Sequence, residues 1–283
     1  MPGAGRPSPA RGHFRMTSAA DLRAFLARAD AVVLVRVAEA RGSTPREEGA
    51  WMAVSADAFF GTIGGGQLEF MAIARARDML ASDMAHDRLD VPLGPEIGQC
   101  CGGRVALALD RLDEDGRNAI LTRMQMEEEA RPHVYLFGGG HVGHALCQAL
   151  ALLPCRVHLV ETRQDALADL PAGTDAILAA VPEEAVRTAP PGSAYVVLTH
   201  DHALDFLIVA AALARPDAAY VGMIGSKTKR ATFRNWYARE AGGTAADEAR
   251  LVCPIGGTVP DKRPAVIAAL VAAELLQAFA AVD

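Results

Sequence analysis

The chain has 283 residues, with 28 basic and 34 acidic side chains and a formal net charge of −6 with histidines neutral. An acidic balance without a basic stripe speaks against general nucleic-acid or membrane-surface binding, and the longest apolar runs, residues 206–214 and 265–273, are nine residues each, where a helical membrane crossing takes about twenty. Hydrophobic residues at 51% and charged residues at 22% predict a packed globular protein of two domains, and five cysteines in a chain this long point to free thiols in a reducing cytoplasm.

Residues 1–15 carry three arginines, no acid and several Pro and Gly. Such a tail buries too little to offset its ordering entropy and is expected to be disordered, with Met16 a candidate start. Ser18 and Asp21 then read as a capping box ahead of a short helix marked by Leu22, Phe25 and Leu26. Residues 31–40 are rich in β-branched side chains and read as a strand, 41–50 as a loop, and 51–55 with 59–63 as a hairpin. Leu68, Met71, Ala72, Arg75, Ala76, Met79 and Leu80 form an amphipathic stripe predicting a helix. Residues 89–93 and 105–109 bracket a glycine-rich loop, GPEIGQCCGG. The charged stretch 123–132 suits a linker or a fraying helix end. Beyond it, apolar strand-like runs alternate with helical patterns, which predicts a parallel sheet. The last segment, 264–281, opens with a proline at the first helical position and is apolar on most sides, as for a buried or interface helix. The expected layout is a tail (1–15), a smaller α+β domain (16–122), a linker (123–132) and a Rossmann-like α/β domain (133–283).

Six segments carry candidate chemistry. In YLFGGGHVGHAL, Gly138, Gly140 and Gly143 form G-x-G-x-x-G after a strand and at a helix start. The first glycine allows the turn, the second lets a phosphate approach and the third permits close helix–strand packing. Glu161 ends the next strand, where an acid commonly meets a ribose hydroxyl. GQCCGG places Cys100 and Cys101 on a loop of minimal crowding, suited to soft metals, sulfur transfer or redox chemistry, with no C-x-x-C pair to complete a zinc site. RGSTPREEGA and FFGTIGGGQLE bring Arg41, Ser43, Thr44, Arg46 and the N–H groups of Gly64, Gly65 and Gly66 as candidates for an anion cradle. THDHALD puts His200, Asp201, His202 and Asp205 at a strand end, as acid–base or metal groups or as a helix cap with solvent-facing histidines. Lys227, Arg230 and Arg234 share a helical face that suits a small anion or a solvated basic surface. Cys147 and Cys155 read as core, His141 and His144 as surface or packing groups, and Cys253 is undecided.

These segments allow three functions: a cofactor binder, an NAD(P)-dependent oxidoreductase with Glu161 on the ribose and His200 or His202 as acid–base group, and a scaffold whose terminal helix is a partner surface. GSTPREEGA, GTIGGGQLE, GQCCGG, FGGGHVG, THDHALD, YVGMIGSKTKR and CPIGG, in this order, resemble the XdhC/CoxI family over nearly all of residues 20–280. The resemblance implies an accessory protein of xanthine dehydrogenase, in purine catabolism, that is not itself an enzyme. It would bind molybdenum cofactor as cargo, hold it while a cysteine desulfurase supplies the terminal sulfur, and deliver it to apo-xanthine dehydrogenase. Cofactor-biosynthesis proteins are further implied partners, and a homodimer is expected. Either glycine loop would take the cofactor's phosphate, and Cys100 or Cys101 would face the molybdenum. The segment after CPIGG departs from the family pattern: Lys262 is present, but the acid expected two residues after the proline is Val266.

Overall fold

The computed structural model describes residues 18–94, 102–257, 259 and 261–281. They fall in two compact units, Met1–Glu129 and Ala130–Asp283. Residues 1–15, Met16, Cys100 and Cys101 lie outside the described residues.

In the first unit, helix α1 (Ala19–Arg28) opens with the expected capping box: the Ser18 hydroxyl accepts from the Asp21 N–H, and the Asp21 carboxylate accepts from the Ser18 N–H. Strands β1 (Val33–Arg41), β2 (Trp51–Val54), β3 (Phe59–Gly61), β4 (His86–Pro92) and β5 (Arg104–Arg111) form an antiparallel sheet in the order β3-β2-β1-β5-β4. Strand periodicity of two splits its side chains between two cores. Val33, Val35, Met52, Val54, Leu107 and Leu109 face Leu68, Ala72, Ala76 and Met79 of helix α2 (Gly66–Ser82). Leu34, Ala53 and Phe60 face the opposite way, onto Leu22, Phe25 and Leu26 of α1 and onto Ile120 and Met124 of helix α3 (Glu114–Glu129). Burial of Met124 on that second face keeps the charged stretch after residue 123 helical as far as Glu129, and the two units part between Glu129 and Ala130.

The second unit alternates strand and helix. Strands β6 (His133–Phe137), β7 (Arg156–Glu161), β8 (Thr174–Leu178), β9 (Ala194–Val197), β10 (Tyr220–Met223) and β11 (Leu251–Val252) form a parallel sheet in the order β11-β10-β9-β6-β7-β8. The chain runs outward from β6 to β8, then returns to place β9 on the other side of β6. The β6/β9 junction is therefore the topological switch point, where α/β sheets open a crevice at their carboxyl edge. Helices α4 (His141–Leu150) and α9 (Pro264–Ala280) pack together over one face, on Val134, Leu136, Val157, Leu159 and Val196. Helices α5 (Glu183–Thr188), α6 (His202–Leu213) and α7 (Lys227–Glu240) cover the other, on Tyr135, Phe137, Tyr195, Val197 and Met223. A short helix α8 (Ala245–Ala249) precedes β11. The terminal helix thus buries Ala268, Val271, Ala272 and Leu275 within its own unit. Among the described residues no helix is long and apolar enough to cross a membrane.

Of the cysteines, Cys147 is buried in α4, and burial pushes its thiol up to about 12. Cys155, half-buried just before β7, is raised to about 11 for the same reason. Cys253 is buried and also raised.

One polar row crosses the α5–α6 face. The register aligns Tyr195, Tyr135, His158 and Asp175 on β9, β6, β7 and β8. Tyr135 stacks on His158 at 4.4 Å, His133 Nδ1 lies 2.9 Å from His158 Nε2, and His158 Nδ1 lies 3.2 Å from an Asp175 carboxylate oxygen. Burial lowers the pKa of both imidazoles from the ordinary 6.5, with nearby Arg156 adding to the effect and Asp175 opposing it. Both therefore take up protons less readily folded than unfolded, so their contribution is full above pH 6.5 and is lost as pH falls below that value. The denaturation midpoint of the full chain is expected to drop between about pH 8 and about pH 5.5, and a His133→Gln/His158→Gln variant to show a shallower drop.

Candidate functional site

In the first unit, three of the sequence motifs meet at one end of the antiparallel sheet. Ser43, just after β1, bridges Gly102, just before β5. A Cβ on Gly103 would lie 2.2 Å from the Ser43 carbonyl oxygen, so only glycine permits this approach. Gly64, between β3 and α2, has φ +120°, and a Cβ there would lie 2.5 Å from the Pro45 Cβ. The Gly102 N–H donates to the Leu93 carbonyl at 2.9 Å, and the Leu93 N–H donates to that of Gly103 at 2.8 Å. These bonds close the mouth of the segment whose sequence carries Cys100 and Cys101, which themselves lie outside the described residues.

The expected anion cradle of Gly64, Gly65 and Gly66 is partly filled from within. Glu69, in the first turn of α2, accepts from the Thr62 hydroxyl at 2.6 Å, from the Ile63 N–H at 3.2 Å and from the Gly65 N–H at 3.1 Å. The Gly64 N–H donates to Thr62 Oγ1 at 3.1 Å. Two of the three glycine N–H groups expected to meet a ligand are thus committed to side chains of the chain itself. Arg46 sits beside Gly64, its guanidinium only loosely matched by Glu47 at 3.6 Å.

In the second unit, the candidate residues gather at the carboxyl edge of the parallel sheet. Gly138, with φ +117°, has its Cβ position 2.8 Å from the Leu198 carbonyl oxygen at the end of β9, and that of Gly143 lies 2.0 Å from the Gly138 carbonyl oxygen. The first and third glycines therefore serve the turn and the helix–strand contact. Gly140, at the start of α4, faces open space, as a ligand-approach position requires. Glu161 makes several hydrogen bonds within the chain. It is 6% exposed, and its carboxylate accepts from the N–H groups of Gly139 (2.9 Å), Thr162 (2.8 Å) and Arg163 (3.2 Å). Burial raises its pKa, but these bonds and the Arg163 guanidinium outweigh burial and bring it down to about 2. Glu161 thus staples the glycine turn, through Gly139, to the start of the loop after β7, through Thr162 and Arg163. Gly139, an unassigned position in the sequence pattern, is fixed from both sides, since a Cβ would lie 2.3 Å from the Ala166 carbonyl oxygen. His144 reaches that same carbonyl at 3.1 Å, a packing contact, and His141 is exposed.

Asp201 caps α6 by accepting from the Ala203 N–H at 2.8 Å and the Leu204 N–H at 3.3 Å, while His200 and His202 are exposed. The buried acid of this motif is Asp205. One of its oxygens accepts from the Thr199 hydroxyl (2.6 Å) and N–H (3.1 Å), and the other pairs with the Lys229 ammonium. Lys229 also donates to the Ile224 carbonyl at 3.0 Å. The pair ties the loop after β9 to the loop after β10. Of the expected basic face, Lys227 and Arg234 are exposed, whereas Arg230 turns to Glu248 in α8 at 2.8 Å, so the three do not act as one cationic surface. Sequence reading missed Glu69, Thr62 and Lys229. Glu69 had a signal, an acid in the first turn after a glycine run; Lys229 had none, because its partner is 24 positions away. At the β11 end, Glu274 of α9 accepts from the Tyr220 hydroxyl at 2.6 Å and from the Gly256 N–H at 2.9 Å. This links the CPIGG segment to the terminal helix. Among the described residues no group of three or more His, Cys, Asp or Glu is placed to hold a metal ion.

Comparison with known proteins gives consistent matches. The family model described as the XdhC Rossmann domain matches residues 134–275, and the one described as the XdhC and CoxI family matches residues 25–90. The uncharacterized protein YqeB of Escherichia coli (strain K12) is 28% identical over 255 residues, covering 86% of this chain. The chain spans only 43% of the length of YqeB. A crystal structure described as a xanthine dehydrogenase from Bacillus halodurans superposes with a TM-score of 0.78 at 17% identity, covering 94% of this chain and 97% of the other. At that identity it shows a shared fold.

Two substitutions test these contacts. Lys229→Met leaves a fully buried carboxylate without its cation and is expected to cost about 3–5 kcal/mol in chemical denaturation; Asp205→Asn added to it should return much of the loss. Gly64→Ala forces a side chain into Pro45 at positive φ and is expected to cost about 1–3 kcal/mol.

Proposed function

The chain belongs to the XdhC and CoxI family, and we propose that it is an accessory protein of xanthine dehydrogenase that binds molybdenum cofactor as cargo. It holds the cofactor while a cysteine desulfurase supplies the terminal sulfur, and delivers it to the apo-enzyme in the cytoplasm. Cofactor-biosynthesis proteins hand the cargo over, and the working form is a homodimer. In this reading the protein carries and protects, with no turnover chemistry of its own.

The observation that carries this reading is the convergence of the first three motifs at one sheet end. Ser43 and Pro45 pack directly on Gly103 and Gly64. That packing sets Gly102 and Gly103, which follow the Cys100–Cys101 segment in sequence, against the loop that carries Arg46. A cargo with a phosphate and a sulfur-bound metal needs both cysteine and arginine, because thiolates favour soft metals while guanidinium and backbone N–H groups favour phosphate. The remaining cysteines support the assignment. Burial raises the thiols of Cys147, Cys155 and Cys253, which keeps them protonated and unreactive near neutral pH. Thiol chemistry thus falls to Cys100 and Cys101.

Either glycine loop is a candidate for the cargo's phosphate: Glu69 already occupies donors of the Gly64–Gly65 turn, and Gly140 is open in the loop at 138–143. Asp201 and Glu161 act there as positioning groups, and Lys227 is an exposed cation at the same sheet edge. An NAD(P)-dependent oxidoreductase, the other use of this loop, has weaker support because both Glu161 oxygens are engaged by backbone N–H groups.

The test is purification from molybdate-replete cells followed by metal analysis and oxidised-pterin fluorescence. Molybdenum and pterin are expected in equal amounts, with bound molybdenum reduced in Cys100→Ala or Cys101→Ala protein. Protein devoid of both, or cysteine variants with undiminished molybdenum, would overturn the reading or the thiol assignment respectively.

A further inference from the structure

A pocket of about 340 Å³ opens in the first unit between the β1–β2 connection, the end of β3 and the last turns of α3. Its size lies at the small end of the roughly 300–1,000 Å³ typical of ligand sites, enough for a fused bicyclic ring and too small for a dinucleotide. Trp51 and Phe60 form an aromatic wall, their rings stacked at 5.9 Å with 22° between planes. Around them stand two guanidinium groups, Arg46 and Arg123, and three carboxylates, Glu47, Glu48 and Glu127, of which Glu48 accepts from the Ala40 N–H at 3.1 Å. Thr62 lines the same pocket and donates its hydroxyl to Glu69, so the pocket shares a wall with the glycine-run turn.

The charge pattern decides what fits. Arg123 donates to Glu127 at 2.8 Å, and Arg46 lies 3.6 Å from Glu47, so each cation already has a carboxylate beside it. With three carboxylates to two guanidinium groups, the pocket has no surplus of positive charge for a bare anion. It offers alternating acceptors and donors at the edge of an aromatic surface. A flat, neutral heterocycle with both kinds of group matches that pattern. Its adjacent N–H and NH₂ would pair with a carboxylate through two parallel bonds, its ring carbonyl would accept from a guanidinium, and its face would lie on the indole.

We propose that this pocket binds a 2-amino-4-oxopyrimidine ring fused to a second ring, the chemistry shared by pterins and guanine. The inference rests on the proposed function in one respect: the pterin end of the cargo is the source it favours. Glu47 or Glu127 reads the amino edge, Arg46 or Arg123 reads the carbonyl, and Trp51 supplies the stacking face.

The chain has two tryptophans, Trp51 and Trp236, so Trp236→Phe leaves Trp51 as a reporter. In that background, pterin-6-carboxylic acid and guanosine are titrated with adenosine as the control, and binding is read by Trp51 fluorescence and equilibrium dialysis. Both 2-amino-4-oxo compounds should bind and quench while adenosine does neither, and Glu47→Gln/Glu127→Gln should weaken binding by about tenfold or more. Tighter binding of the pterin than of guanosine assigns the pocket to the cargo, and the reverse order assigns it to a guanine compound. Absence of binding, equal binding of adenosine, or unchanged affinity in the double variant would overturn the pocket assignment. The two readings fail separately. Protein that co-purifies with molybdenum yet ignores these probes keeps its cargo role and loses this pocket, whereas protein that binds the probes but never carries molybdenum does the opposite.

Discussion

A carboxylate withdrawn from water must be given hydrogen-bond donors, and a glycine turn has backbone N–H groups to give. Each unit of this protein holds one such match, buried at Glu161 and half-buried at Glu69. Under the parallel sheet's first turn, Glu161 accepts from Gly139, Thr162 and Arg163. In the antiparallel unit, Glu69 accepts from Ile63, Gly65 and Thr62. These bonds hold loops that carry almost no side-chain bulk and would otherwise have little to fix them. The consequence for function is direct. A turn stapled from within presents only its remaining donors to a ligand, and in the 138–143 loop the open position is Gly140.

A second tie acts on neighbouring loops of the same sheet edge. Asp205 and Lys229 are buried together, and through Thr199 and the Ile224 carbonyl they hold the connections that follow β9 and β10. Buried pairs of this kind contribute little net stability, because desolvation offsets their attraction, but they punish rearrangement. The switch point is therefore bordered by loops of defined geometry, with Asp201 and Lys227 exposed on them.

The two units divide the candidate chemistry by type. The antiparallel unit brings together an arginine loop, a glycine-run turn and the flanks of the paired cysteines. The parallel unit supplies an open glycine position beneath a helix start. The matches to the XdhC and CoxI family at residues 25–90 and to the XdhC Rossmann domain at residues 134–275 follow the same division. Thiol acidity follows burial: the cysteines inside the Rossmann unit are raised and inert, which separates packing thiols from the pair on the glycine-rich segment.

Local chemistry was legible before any coordinates. The Ser18–Asp21 box, the stripe from Leu68 to Leu80, the Pro264 start of the last helix and the G-x-G-x-x-G turn each depend on neighbours a few positions apart, and periodicity or capping reports such neighbours directly. The order of motifs, equally, identified the family. Partners far apart in the chain were decided only by the tertiary structure. Glu161 reaches back 22 residues to Gly139, Lys229 reaches back 24 to Asp205, and Arg230 leaves its helical face for Glu248. A carboxylate at a strand end looks the same in sequence whether it meets a ligand or a backbone N–H. Only the fold brings the backbone donor within 3 Å, and desolvation makes that bond costly to give up.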